Sequence, residues 1–189
     1  MTITVRPASV GDAAAIARVR VDAWRTTYRG IVPDAYLDAM DVEASAQMWD
    51  RVLAAAATKA SVFVAENDGE VVGFAAANLL QEPKHDFNAE LSAIYLRRDY
   101  RRGGIGRRLV RAVTQAQREK GANGLIVWVI AKNQAARSFY EALGGTLLVE
   151  QEFEWDGIPL VEAGYGFRDI DALLAACDTP PAAEGGALH

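Results

Sequence analysis

The chain has 189 residues, 51% of them hydrophobic and 24% charged. That is enough for one well-buried core and too little for two comfortable ones. Its formal net charge of -5 argues against a protein that coats nucleic acid, a task that calls for a basic domain, so any anion site has to be local. The lone cysteine, Cys177, leaves no partner for an intramolecular disulfide and no Cys-rich zinc site, which fits a reduced, cytoplasmic setting. No apolar run approaches the ~20 residues of a membrane span, and the opening MTITVRPASVGD has no signal-peptide core. No nucleic acid, membrane or metal is therefore expected as a partner.

The chain alternates strand and helix patterns. TITVRP alternates as a strand. Ser9 and Asp12 form a capping box before a helix that carries Ile16, Val19 and Ala23 on one face and reaches Tyr28. Pro33 starts a short helix, and VEASAQMWDRVLAAAA reads as another that ends before Lys59. SVFVAE and VVGFAAANLL, joined by NDGE, form a hairpin, because Asp-Gly supplies the left-handed backbone of a tight turn. A polar loop, QEPKHDFN, precedes a fourth strand, AELSAIYL. Ile105, Leu109, Ala112, Val113 and Ala116 then recur at helical spacing.

GLIVWVIA reads as a central strand covered on both faces. A helix through Ala136, Phe139, Tyr140 and Leu143 stops at Gly144-Gly145, and two strands hinge at Asp156-Gly157. DIDALLAAC reads as a last short helix. One domain is expected over residues 1–177. The tail 178–189, DTPPAAEGGALH, is too poor in apolar residues to fold and is expected to be disordered.

Between the fourth strand and the following helix lies RRDYRRGGIGRRLVRAV. Glycines at a helix start let backbone N–H groups converge on an anion, and the helix dipole adds partial positive charge. Eight of the 20 Lys and Arg residues fall between Arg97 and Arg118, which places a polyanion at this element. Glycine content alone is explained equally well by a tight turn before a solvated basic helix. A P-loop is excluded because Gly-Lys-Ser/Thr is absent, and a dinucleotide fingerprint because Leu109 stands where its third glycine belongs.

Arg101, Gly104 and Gly106 match Arg/Gln-x-x-Gly-x-Gly/Ala, the acyl-CoA pyrophosphate loop of the GNAT superfamily of N-acetyltransferases, which the stretch resembles. NQAARSFYEALGG resembles that family's second signature, with Asn133, Ala136, Tyr140 and Gly144 in register. The element order over about Thr2 to Phe167 is similar too. The resemblance implies an α/β fold on a mixed, mostly antiparallel sheet, with strands four and five parallel and splayed around the pantetheine arm of acetyl-CoA. It implies backbone contacts to that arm from Ile94, Tyr95 and Leu96, with Asn133, Ala136 and Tyr140 also at the coenzyme. Arg101 and the stretch Arg102, Gly103, Gly104, Ile105, Gly106 and Arg107 would hold the pyrophosphate.

Acetyl transfer from a thioester to an amine requires a base, since a lysine-like amine has a pKa of ~10.4, and a proton donor for the departing thiolate. Tyr140 stands where the family has that donor; a core tyrosine beside Ala136 and Phe139 is the alternative. Glu90, eleven residues before Arg101, matches the spacing of relatives with a strand-four glutamate base; a solvated strand end or a water relay is the alternative. Trp24 and Tyr28, four apart on the first helix, are either core or an aromatic wall for a cationic or apolar amine. The resemblance implies acetylation of a small-molecule primary amine by direct attack, with a homodimer through the C-terminal strands. The alternatives are acetylation of a protein N-terminus or lysine, and a non-catalytic acyl-CoA sensor.

Overall fold

The structure, a computed structural model, describes residues 2–55 and 60–179. Strand β1 (Ile3–Pro7) leads through a single 3-10 turn into helix α1 (Ala13–Thr27), followed by α2 (Asp34–Ala39) and α3 (Val42–Ala55). Strands β2 (Ala60–Asn67), β3 (Glu70–Lys84) and β4 (Phe87–Leu96) form a meander. Helix α4 (Ile105–Glu119), strand β5 (Leu125–Ile130) and helix α5 (Gln134–Ala142) come next, then β6 (Thr146–Trp155), β7 (Ile158–Phe167) and α6 (Ile170–Asp178). The seven strands make one sheet in the order β1-β2-β3-β4-β5-β7-β6, in which β4 and β5 are parallel and every other pair is antiparallel.

Strand alternation divides the core between the two faces of the sheet. Val62, Val64, Phe74 and Ala76 meet Ile16, Ala17, Val19 and Trp49 on the face that carries α1 and α3. Ala75, Ala77, Ala89, Leu91, Val127 and Tyr165 meet Leu109, Val113 and Tyr140 on the face that carries α4 and α5. The helical spacing of Ile105, Leu109, Val110 and Val113 thus becomes a buried stripe, each side chain worth ~1.5–3 kcal/mol of burial. Helix α6 adds Ile170, Leu173, Leu174 and Cys177 to this core. Burial raises the Cys177 thiol pKa to about 11.

Several boundaries differ from expectation. QEPKHDFN is the tip of a long β3–β4 hairpin rather than a loop. Lys84 pairs with Phe87, and His85 (φ 48) and Asp86 (φ 71) take the two left-handed turn positions, as Asp and His tolerate better than most residues. Ser9 caps the 3-10 turn rather than α1 itself: its N–H and hydroxyl donate to the Asp12 carboxylate at 2.7 and 3.0 Å. The last helix includes Asp178, one residue into the expected tail, and positions 180–189 lie outside the described residues, as do 56–59 at the expected end of α3.

Candidate active site

The central feature is the parting of β4 from β5. The two pair only at Ala89, Glu90 and Leu91 with Leu125, Ile126 and Val127. Opposite β3, Ala76 faces Ala93 but Ala77 faces Leu91, which leaves Ser92 as an extra residue whose hydroxyl donates to the Ala76 carbonyl at 3.1 Å. Such a bulge bends and twists its strand. β5 meanwhile stays straight against β7, paired along its whole length from Leu125 to Ile130. Past Leu91 the strands diverge, and a V-shaped gap opens through the sheet.

The edge of β4 along this gap has a defined polarity. Arg97 N–H donates to the Val72 carbonyl on the β3 side at 2.9 Å. By alternation, the backbone groups of Leu96 and Ile94 point the other way, into the gap. Tyr95 is therefore a correction: its backbone faces Phe74 on β3, and its side chain packs toward Trp24 and Phe74 on the α1 face.

Below the gap, the turn into α4 has left-handed backbone at Arg102 (φ 65) and Gly104 (φ 77). Gly104, the N-cap, reaches this conformation without a Cβ penalty, while Arg102 holds it at a steric cost that non-glycine residues seldom bear. A Cβ at Gly104 would meet nothing within 4 Å, so the helix start is open to a ligand. Three of the eight arginines between Arg97 and Arg118 are paired with carboxylates, and three more are held by neutral acceptors. Arg97 pairs with Glu70, Arg111 with Asp178 and Arg118 with Asp171. Arg107 donates to the Ala176 carbonyl at 2.7 Å and Arg108 to the Ile3 carbonyl at 2.9 Å. Arg101 donates to Thr27 Oγ1 at 3.0 Å. The basic stripe of α4 is largely a docking face for the acidic helix α6, an arrangement invisible before the two helices are brought together.

A single cleft of about 1540 Å³ runs from the α4 start through the gap to the α1 and α2 face. It brings together Trp24, Tyr28, Glu90, Ile94, Tyr95, Leu96, Arg101, Arg102, Gly104, Gly106, Arg107, Asn133, Ala136 and Tyr140. Of the residues singled out in the sequence, Gly103 and Ile105 do not line it. Gly103 lies exposed in the turn, and the Ile105 side chain is buried in the core.

Three phenols gather where the cleft crosses the sheet. Tyr140 is only 5% exposed, and its hydroxyl makes no hydrogen bond to another described residue. Burial, reinforced by the neighbouring Tyr28 and Tyr95, pushes its pKa well above the ordinary phenol value, so the proton stays on Oη. Burial likewise raises Tyr28 to about 12, with Tyr95 adding to the rise. The Tyr28 hydroxyl accepts from Asn133 Nδ2 at 3.4 Å, while Asn133 Oδ1 caps α5 by accepting from Ala136 N–H at 3.2 Å. The Tyr95 hydroxyl accepts from Trp24 Nε1 at 2.9 Å.

Trp24 is both core and cleft wall. It packs on Tyr28 (ring centroids 4.7 Å) and on Trp155 (5.3 Å), in a cluster with Val32, Leu37 and Ile130. Glu90 is 19% exposed in its side chain and accepts from Lys84 Nζ at 2.8 Å. It is thus a paired residue inside a strand, not a solvated strand end.

Sequence reasoning missed Lys84, His85, Trp128, Gln151, Phe153, Trp155 and Glu162, all of which line the cleft. Trp128, a large aromatic inside the apolar run GLIVWVIA, was the readable signal. Its ring lies over Gly164, where a Cβ would sit 2.8 Å from it, so the glycine on β7 makes room for the floor of the cleft.

The profile of a family described as the acetyltransferase (GNAT) family matches residues 19–145. The chain is 35% identical over 172 residues to the uncharacterized N-acetyltransferase YuaI of Bacillus subtilis, covering 90% of this chain and 96% of that one. It is 22% identical over 165 residues to a spermidine N(1)-acetyltransferase of Thermoplasma acidophilum, covering 82% and 99%. Among solved structures, the PaiA N-acetyltransferase of Thermoplasma acidophilum in complex with coenzyme A superposes with a TM-score of 0.69 at 22% identity, covering 86% of this chain and 98% of that one. YncA of Salmonella typhimurium, solved with acetyl-CoA, gives 0.66 at 19%, covering 96% and 99%. With the splayed parallel strands, the glycine turn into α4 and these matches together, the chain belongs to the acetyltransferase (GNAT) family of acetyl-CoA-dependent enzymes.

Proposed function

We propose that the protein transfers the acetyl group of acetyl-CoA to a primary amine of a small molecule by direct attack. One observation carries this reading: a single cleft passes through the sheet, with a helix start at one end and an aromatic wall at the other. Its volume exceeds the ~300–1,000 Å³ of a typical one-ligand pocket, so two substrates fit at once, as direct transfer demands.

The N–H groups at the start of α4 and the Arg102 side chain bind the pyrophosphate. The outward backbone of Ile94 and Leu96 pairs with the pantetheine arm as a strand would, and an N–H of this edge polarises the thioester carbonyl. Bound there, acetyl-CoA supplies an activated acyl group. Tyr140 keeps its proton at neutral pH and donates it, or a hydrogen bond, to the departing sulfur. Glu90 takes the amine proton directly or through water; Lys84 already occupies its Oε2, which leaves Oε1 for that role. Trp24, Tyr28 and Trp155 wall the acceptor.

The similarity to a spermidine acetyltransferase supports a small amine as acceptor. The test is a mass-spectrometric screen of amine pools with acetyl-CoA for products heavier by one acetyl group. Acetylated small amines are the expected result. Coenzyme binding with no product across a broad panel refutes the proposal.

A further inference from the structure

Two carboxylates line the cleft on the face that carries α1 and α2, and they differ in what balances them. Glu90 is neutralised by Lys84 at 2.8 Å. Glu162 of β7 accepts only from the Gln151 side-chain amide, at 2.8 Å, and among the described residues it has no cationic partner. The cleft's remaining cations, Arg101, Arg102 and Arg107, belong to its α4 end. The acceptor end therefore keeps one unbalanced negative charge.

The strand register locates that charge. Glu90 stands across from Ile126 and Glu162 across from Ile130. Glu162 therefore lies four residues further along β5, ~13 Å at ~3.3 Å per residue, where β4 has already left β5. Between the two levels the floor is Trp128 over Gly164, and Phe153, which also lines the cleft, stands two residues beyond Gln151 on β6. The unpartnered hydroxyl of the buried Tyr140 opens on the same cleft. A hydroxyl without a partner and a carboxylate without a cation thus stand at separate points along one aromatic channel. The complement of this channel is a chain of methylenes with a nitrogen at each end. Its apolar stem lies on the aromatic floor, one amine is at the reaction centre, and the other, protonated, is at Glu162.

We infer that Glu162, held by Gln151, selects an acceptor that carries a second positive charge, so that the substrate class is an aliphatic diamine or a longer polyamine. This rests on the proposed small-amine acceptor and adds the residue that reads the distal charge. A diamine gains from the carboxylate over a monoamine of equal length, and the gain belongs to binding rather than to the chemical step.

The experiment compares 1,8-diaminooctane with 1-aminooctane, and 1,4-diaminobutane with 1-aminobutane, on the wild-type chain and on Glu162→Gln, a substitution that keeps shape and the bond to Gln151. Acetylation rates and calorimetric binding with coenzyme A present are both measured, and the coenzyme-induced rise in melting temperature confirms an intact fold. Expected is a diamine-to-monoamine ratio of kcat/KM of ~10 or more in one length pair, equivalent to ~1.4 kcal/mol. In Glu162→Gln this ratio falls toward one through KM, with kcat for the diamine held. Equal ratios in the two proteins overturn the inference while acetylation of both amines leaves the small-amine reading standing. Glu162-dependent diamine binding without acetylation keeps the inference and removes the acetyl-transfer reading. Neither binding nor turnover of any of the four amines overturns both.

Discussion

Replacing Tyr140 with phenylalanine separates chemistry from packing, because it removes one oxygen and keeps a ring that packs 5.5 Å from Phe139 and 6.1 Å from Tyr165. The lost hydroxyl has no hydrogen-bond partner among the described residues, so its deletion breaks no protein contact. That hydroxyl opens on the cleft, where water satisfies it, so its removal should leave the melting temperature of the ligand-free protein within a few degrees of wild type, at ~2–4 °C per kcal/mol for a chain of this size. Turnover should fall. Loss of a positioned acid costs ~10²-fold or more in rate, equivalent to ~2.7 kcal/mol.

The pH profile adds a second criterion. The Tyr140 pKa is pushed well above the ordinary phenol value by burial, so its ionisation produces no alkaline loss of activity below about pH 10. Up to that pH the variant's profile should run parallel to the wild type and lower by a constant factor. Steady-state acetylation from pH 6 to 10 and thermal melts of both proteins make the comparison. An unchanged rate, or a fall of many degrees in melting temperature, would refute the reasoning and return Tyr140 to the core.

Gly104→Asp should abolish the rise in melting temperature on adding coenzyme A, a mass-action effect, by setting a negative charge at the helix start. The surroundings of Gly104 are open, so the cost to the ligand-free protein is that of a left-handed Asp at φ 77, ~1–2 kcal/mol, or a fall of ~2–8 °C in melting temperature. Glu90→Gln should lower kcat at least ~10-fold if that carboxylate takes the amine proton, and stopped-flow acetylation that matches wild type would assign the proton to water alone. Gly164→Val should cost ~1–3 kcal/mol in urea unfolding and alter tryptophan fluorescence, since a Cβ there meets the Trp128 ring at 2.8 Å.

Hydrogen bonds from Arg6 lower the Asp12 carboxyl from 3.8 to about 2. The stability this gives is present above pH ~3.9 and is lost as pH falls through about 2. Asp12→Asn should therefore be less stable at pH 7 and show a flatter acid limb between pH 4 and 2. An acid limb identical to wild type would place the loss at other carboxylates.

Local pattern determined most of the architecture. The helical stripe Ile105, Leu109 and Val113, the apolar run of β5 and the Asp-Gly turns at Asp68-Gly69 and Asp156-Gly157 each report a preference a short segment carries by itself. The glycine turn was legible for the same reason, because a left-handed N-cap at Gly104 is written in one residue type. Tertiary structure decided what depends on partners far apart in the chain. The arginines of α4 read as a coenzyme patch, yet Arg111 and Arg118 meet Asp178 and Asp171 across 67 and 53 positions, and no local signal carries such a pairing. Ser92 becomes a bulge only against β3, and the gap it opens exists only because β7 holds β5 straight. Glu162, by sequence one acid among many in a hairpin, becomes the acceptor end's unbalanced charge only when the sheet sets it beside Gln151 and across from Ile130. Segment preferences are short-range and survive reading along the chain, whereas charge balance and cavities are sums over neighbours that folding alone supplies.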